Sequence, residues 1–201
     1  LSGTVSHFRE GDVLPRLGAL TGGAGIFGTL LGTHVAFQVP ARFLSPALAI
    51  ILLTTTTLLY LQLFHPALIA DYVARNQASA VGRAFVIRAV LIGLVTGFLS
   101  GAFGIGATAF IQIGLMLFFG VTLYHAIGTT MMIIFPIAVA GGLSYFAAGL
   151  MDISIFLQTL TGLSIGAFLG AKFTRLIPNT ALRYIMVAIP LTGGLVLLLH
   201  G

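Results

Sequence analysis

Charge is what this sequence has least of. Of its 201 residues, 9 are Lys or Arg and 4 are Asp or Glu, so charged side chains make up 6%, against roughly 25% in a soluble domain. So few charges could not cover a water-facing surface, which excludes an ordinary cytosolic domain and a disordered chain. A nucleic-acid partner is excluded too, because the net charge of +5 is scattered and does not form a phosphate-binding patch. Cysteine is absent, which removes disulfides, thiol chemistry and Cys-based zinc sites. There is no H-E-x-x-H, no pair of aspartates and no G-x-x-x-x-G-K-[ST] phosphate loop, so neither a metal, a cofactor nor ATP-driven work is expected. Position 98 is Phe98, so Ser100 does not sit in a G-x-S-G nucleophile motif, and no enzyme is expected.

Apolar residues are what is there: 58% of the chain, with a mean hydropathy of +1.13. The apolar runs are continuous and do not alternate, which points to membrane-spanning helices over barrel strands. Spans are predicted at about 13–33, 43–64, 124–148, 153–173 and 180–200. A further stretch, about 85–119, is too long for one span. Its centre carries Gly97, Gly101, Gly104 and Gly106 within ten residues, which argues against a continuous helix. Two half-length helices, about 86–101 and 106–119, are expected there, joined by a Gly turn near mid-membrane. Pro40 and Pro178 stand just ahead of apolar runs, near helix starts, and His65-Pro66 closes a span.

Shifted by 138, the sequence matches itself: Gly28 falls on Gly166, Gly32 on Gly170, Pro40 on Pro178 and Leu44 on Leu182. Asp12 matches Asp152 with two residues inserted. Residues 1–63 and 139–201 therefore read as two copies of one unit. The partner of the Gly-broken segment would precede Leu1, so a fragment lacking an N-terminal half-unit is expected, with a natural one-and-a-half-repeat protein as the alternative. The domain reading is 1–70 for a partial first repeat, 71–84 for a cytoplasmic linker and 85–201 for the second repeat.

The basic residues choose a topology. If the broken segment crosses once, Arg9, Arg16, Arg75, Arg83 and Arg88 oppose Arg42, Lys172, Arg175 and Arg183, five against four. If it enters and returns, eight share one side and only Arg42 is opposite. The positive-inside rule prefers the second arrangement, with Arg88 snorkelling if it lies inside the helix. The expected fold is thus an all-α polytopic membrane protein with two inverted repeats, a broken re-entrant helix hairpin and an incomplete first repeat. Such repeats meeting at the midplane are a recurrent transporter plan.

The motifs Gly97, Ser100, Gly101, Gly104-Ile105-Gly106-Ala107-Thr108 and Ala126-Ile127-Gly128-Thr129-Thr130, with Gly149…Asp152-Ile153 and Gly166…Gly170, resemble the TauE/SafE family of sulfite and organosulfonate exporters. The family pattern is G-x-x-S-G-x-x-G-I-G-G-G, then A-x-G-T-S one helix later. This chain departs from it at Ala107 and Thr108, at Gln112-Ile113 where a proline is expected, and at Thr130 where Ser is usual. The resemblance implies a carrier of small sulfur-containing anions in the cell (inner) membrane.

A helix that begins inside the membrane leaves backbone N–H groups free to attract an anion. The candidate substrate-binding residues are accordingly Gly104, Gly106, Thr108 and Gln112, with Thr129 and Thr130 completing the shell and His125 as a proton or anion contact. Thr108 and Gln112 are i and i+4 on one face, and an amide in an apolar half-helix needs a partner. The bland readings are helix packing for the glycines, i−4 carbonyl bonding for the threonines and an interfacial structural role for His125. Asp12 and Asp152 read as helix N-caps, and Thr54–Thr57 as internally bonded. The expected partners are the lipid bilayer and a small anion, with a homo-oligomer left open. The alternatives to a carrier are a non-transporting scaffold subunit and an anion channel.

Overall fold

The computed structural model describes residues 13–65, 82–104, 107–174 and 178–200, and every regular element among them is an α-helix. In chain order these are α1 (Pro15–Gln38), α2 (Ala41–Phe64), α3 (Arg83–Phe103), α4 (Thr108–Phe119), α5 (Leu123–Ala147), α6 (Ile153–Thr174) and α7 (Asn179–His200). Five helices are long and apolar enough to cross a membrane: α1, α2 from Arg42, α3, α5 and the Thr180–Leu199 part of α7. In α6 a shorter apolar stretch runs from Ile153 to Phe168. Helix starts follow the prolines, with Pro15 in the first turn of α1 and Pro40 as the N-cap of α2. The four threonines 54–57 each donate to the carbonyl four residues back, at 2.8–2.9 Å, so none is left unsatisfied in lipid. Asp152 caps α6, accepting from the amides of Ser154 and Ile155 at 2.8 and 3.1 Å. Asp12 lies outside the described residues.

The centre of the fold is α1 packed against α3 and α5. A Cβ on Gly97 would overlap the carbonyl of Gly25, and one on Gly101 that of Thr29. From the other side, a Cβ on Gly28 would overlap the carbonyl of Leu94, and one on Gly32 that of Phe98. The order of these contacts shows that α1 and α3 run in the same direction, backbone against backbone, as small residues permit in membranes. The Thr29 hydroxyl, bonded to the Gly25 carbonyl at 2.8 Å, also lies 3.1 Å from the Gly97 carbonyl. Along α5, Thr129 meets Leu14, a Cβ on Gly22 would meet Pro136, and Phe37 meets Tyr145, so α5 is parallel to α1 as well.

This packing corrects one expectation. The first part of the Gly-broken segment, expected as a half-length helix at about 86–101, is the 21-residue α3, which starts at Arg83 and runs past Gly97 and Gly101 to Phe103. The propensity penalty of those glycines, about 1 kcal/mol each, is offset by the close approach to α1 that only glycine allows. The break falls within the expected turn, at Gly104, which takes the left-handed conformation (φ 66°, ψ 5°) that glycine adopts without strain.

Beyond the break the chain turns back. Gly114 of α4 faces Ile92, the ring of Phe119 meets that of Phe85 at 5.1 Å, and Arg88 donates to the Phe118 carbonyl at 3.1 Å. Thus α4 runs antiparallel to α3, and its end returns to the level where α3 began. The Arg88 bond satisfies a carbonyl left over at the C-terminus of α4, where the helix dipole also favours a cation. Elsewhere α2 pairs with α7 in antiparallel fashion, with Phe64 against Tyr184 and Leu53 near Gly194. The described side chains of α6 are exposed throughout.

Candidate functional site

The site is built where α4 starts. Ala107 precedes α4 in the left-handed region (φ 41°, ψ 18°), the one described non-glycine residue with positive φ. The first intrahelical bond of α4 is Ile111 N–H to the Ala107 carbonyl at 2.9 Å. The amides of Ala109 and Phe110 have no carbonyl partner within the helix, and the N-cap residue Ala107 offers no capping side chain. The depth follows from the turn at the other end of α4. Thr108 lies twelve residues before Gly120, and twelve residues after Thr122 is Ile134, next to the midpoint of the 25-residue α5. An antiparallel α4–α5 hairpin therefore puts the start of α4 opposite the middle of α5.

Gln112 lies one turn into α4, and its Oε1 accepts from Nε2 of Gln62 on α2 at 3.3 Å. The partner that an intramembrane amide requires is thus another amide from a separate helix. By the same count, Gln112 and Thr130 are each eight residues from the turn, at matching depth. Thr129 and Thr130 are both fully buried. Thr129 accepts the Leu14 amide at 3.1 Å, whereas the Thr130 hydroxyl has no partner. The Thr21 hydroxyl of α1 is equally buried and unpartnered. It lies one turn beyond Leu17, as Thr130 lies one turn beyond Ala126, and Leu17 and Ala126 belong to one apolar cluster with Ile111 and Ile133.

Gln112 is brought to Gln62 of α2 and Thr129 to Leu14 ahead of α1, with Gln112 and Thr130 at matching depth on α4 and α5. His125 is not at that depth. It sits in the first turn of α5, where Nδ1 bonds the Thr122 hydroxyl at 2.8 Å, at the far end of α4 from Thr108, about 18 Å along the 12-residue helix. Gly104 is exposed and open around its Cα, so its glycine serves the backbone turn. Gly106 lies outside the described residues. Two apolar clefts, one between α3 and α4 and one between α1 and α3, are lined by none of these residues.

A family model described as Sulfite exporter TauE/SafE matches residues 1–197. The chain belongs to the TauE/SafE family. It is 37% identical over 198 residues to the probable membrane transporter protein YdhB of Bacillus subtilis (strain 168), an alignment that takes in 98% of this chain and 78% of that one. It is 30% identical over 112 residues to the probable membrane transporter protein YunE of the same organism, covering 56% of this chain and 41% of the relative. No solved structure matches it. Family, relatives and the five long apolar helices make this TauE/SafE protein a multi-pass membrane transporter.

Two polar residues of the region escaped the reading of the sequence. Gln62 carried the same signal as Gln112, an amide within an apolar run. Thr21 carried none, since nothing in the sequence separates it from the threonines that bond their own helix. The left-handed Ala107 explains why the TauE/SafE pattern has glycine at this position. A left-handed alanine costs roughly 1–2 kcal/mol, and glycine returns part of that as chain entropy, about 0.4–1 kcal/mol. Ala107→Gly is therefore expected to raise stability by up to about 1 kcal/mol, seen as a higher unfolding midpoint in detergent. Ala107→Val, β-branched at a site only 4% exposed, is expected to lower it. A lower midpoint for the glycine variant would contradict the strain.

Proposed function

We propose that this protein is a secondary transporter that moves small sulfur-containing anions (sulfite, sulfonates or related) across the cell (inner) membrane, binding them at the N-terminus of α4. The observation that carries the reading is a helix start opposite the middle of α5 whose N-cap residue, Ala107, offers no capping side chain. Such an end attracts an oxyanion without a charged side chain, which suits a chain with so few charges. Gln112 and the unpartnered Thr130 hydroxyl supply further polar contacts at similar depth, and Gly104 makes the turn that precedes the helix start.

An inverted-repeat mechanism of alternating access is supported from two directions. The 138-residue offset predicts that α1 corresponds to α6 and α2 to α7, and the helix starts obey it: Pro15 and Ile153, Ala41 and Asn179. The corresponding helices α2 and α7 run antiparallel, as inverted units require. Charge is consistent with this. Arg16, Arg83, Arg88 and Arg183 lie at one end of the bundle and Arg42 at the other, which by the positive-inside rule makes the first end cytoplasmic. The small anion and the bilayer are then the partners of the transport cycle.

Counterflow of labelled sulfite or sulfoacetate into liposomes holding the purified full-length protein tests this. A carrier gives saturable uptake that depends on unlabelled anion inside. Flux without counterflow would indicate a channel. No flux of any sulfur anion, together with a stable co-purifying protein, would replace the proposal with a scaffold role.

A further inference from the structure

The cleft between α3 and α4 has a volume of about 230 Å³; its walls are apolar apart from Arg88 at one end and Thr96 at the other, and the Thr96 hydroxyl is bonded to the Ile92 carbonyl. Arg88 offers five N–H donors, of which the structure commits one, to the Phe118 carbonyl at 3.1 Å. The one carboxylate among the described residues, Asp152, follows the far end of α5 and caps α6. Since α3 and α5 are parallel, that carboxylate and Arg88 lie at opposite ends of the bundle. The cation therefore has no counter-ion among the described residues, yet it heads an apolar cleft.

The shape of the cleft says what would fit. It follows α3 from Arg88 to Thr96 and α4 from Phe118 back to Phe110, about 12 Å along the helix axes. Its rim is open to the outside, with Leu91 55%, Val95 58% and Phe118 52% exposed. The charged end is the end where Arg16, Arg83 and Arg183 also lie. A small soluble oxyanion would leave the apolar walls unfilled. An acyl chain lying along the helices, with an anionic headgroup at the guanidinium, fills both parts.

We propose that this cleft is a binding site for an anionic phospholipid, its phosphate held by Arg88 and one acyl chain lying between α3 and α4. The site does not depend on the transport reading, because it rests on the α3–α4 hairpin alone. Its occupant braces the hairpin from the lipid side, next to the Arg88–Phe118 bond that closes it.

The test is native mass spectrometry of the delipidated full-length protein, offered equal amounts of phosphatidylglycerol and phosphatidylcholine. A preference of about fivefold for phosphatidylglycerol is expected, the ratio that about 1 kcal/mol per basic residue at an anionic surface gives. Arg88→Lys and the exposed-site control Arg16→Gln keep the preference. Arg88→Gln, which can still donate to Phe118, loses it. Gly114→Leu, which fills the cleft, loses the bound lipid of either kind. The proposal is overturned if Arg88→Gln retains the preference, if Gly114→Leu retains lipid, or if inorganic phosphate displaces the phosphatidylglycerol.

Discussion

Replacing Gly97 by alanine is expected to cost this protein more stability than any other single methyl group considered above. The new Cβ would overlap the backbone carbonyl of Gly25, and backbone cannot swing away as a side-chain tip can. Overpacking a core typically costs about 1–3 kcal/mol, and here the whole α1–α3 contact must open to relieve it. The expected result is a large fall in the thermal midpoint in detergent, with loss of transport following from loss of fold. Gly23→Ala is the matched control on α1: nothing lies within 4 Å of its would-be Cβ, and alanine should raise helix stability by about 1 kcal/mol. Equal behaviour of the two variants would refute the backbone-to-backbone packing of α1 on α3.

The second large effect concerns the Gln62–Gln112 pair. Gln112→Leu strands the Gln62 amide, at a cost of about 1–3 kcal/mol for an unsatisfied buried group. It should also reduce anion counterflow tenfold or more, the scale of a lost hydrogen bond to a charged ligand. The double variant Gln62→Leu/Gln112→Leu separates the two roles. Removing both partners is expected to restore stability close to the starting level, because no amide is then left unpaired, while counterflow stays low. Recovery of counterflow together with stability would mean that Gln112 only ties α4 to α2, and the proposed anion site would have to move away from it.

Much of the architecture was legible in the residues because lipid simplifies the problem. A backbone that finds no hydrogen bonds outside itself must be helical wherever the apolar run is long enough, so the predicted spans at 43–64 and 124–148 lie close to α2 and α5. The internal offset of 138 reappears in two pairs of helix starts. Asp152 capped its helix as its place before an apolar run implies, and Thr54–Thr57 bonded backward within α2. The candidate site was legible in outline: glycines near a helix break, an amide needing a partner, and threonines one helix later.

Pairwise geometry could not be read. Gly97, Gly101 and Gly104 look alike in the sequence, yet the first two press against α1 and the third turns the chain, because their roles depend on whether another backbone approaches. The propensity argument placed the break between 101 and 106, where Gly104 makes it, but it ended the first helix at Gly101 although α3 runs on to Phe103. Gln112 announced its need for a partner without saying that Gln62 would supply it from a helix fifty residues away. His125 shares a motif with Thr129, yet it remains at the helix start with Thr122, because adjacency in sequence says nothing about which end of α4 it meets.

The sequence by itself determined that this is a helical membrane protein, since long apolar runs are a property of a single strand of chain. Only the tertiary structure decided that Gly97 and Gly101 of α3 press against the backbone of α1, that Arg88 bonds the end of α4, and that two amides meet between α2 and α4. Those outcomes depend on which surfaces come within a few ångströms of each other, and close approach is a property of the folded backbone.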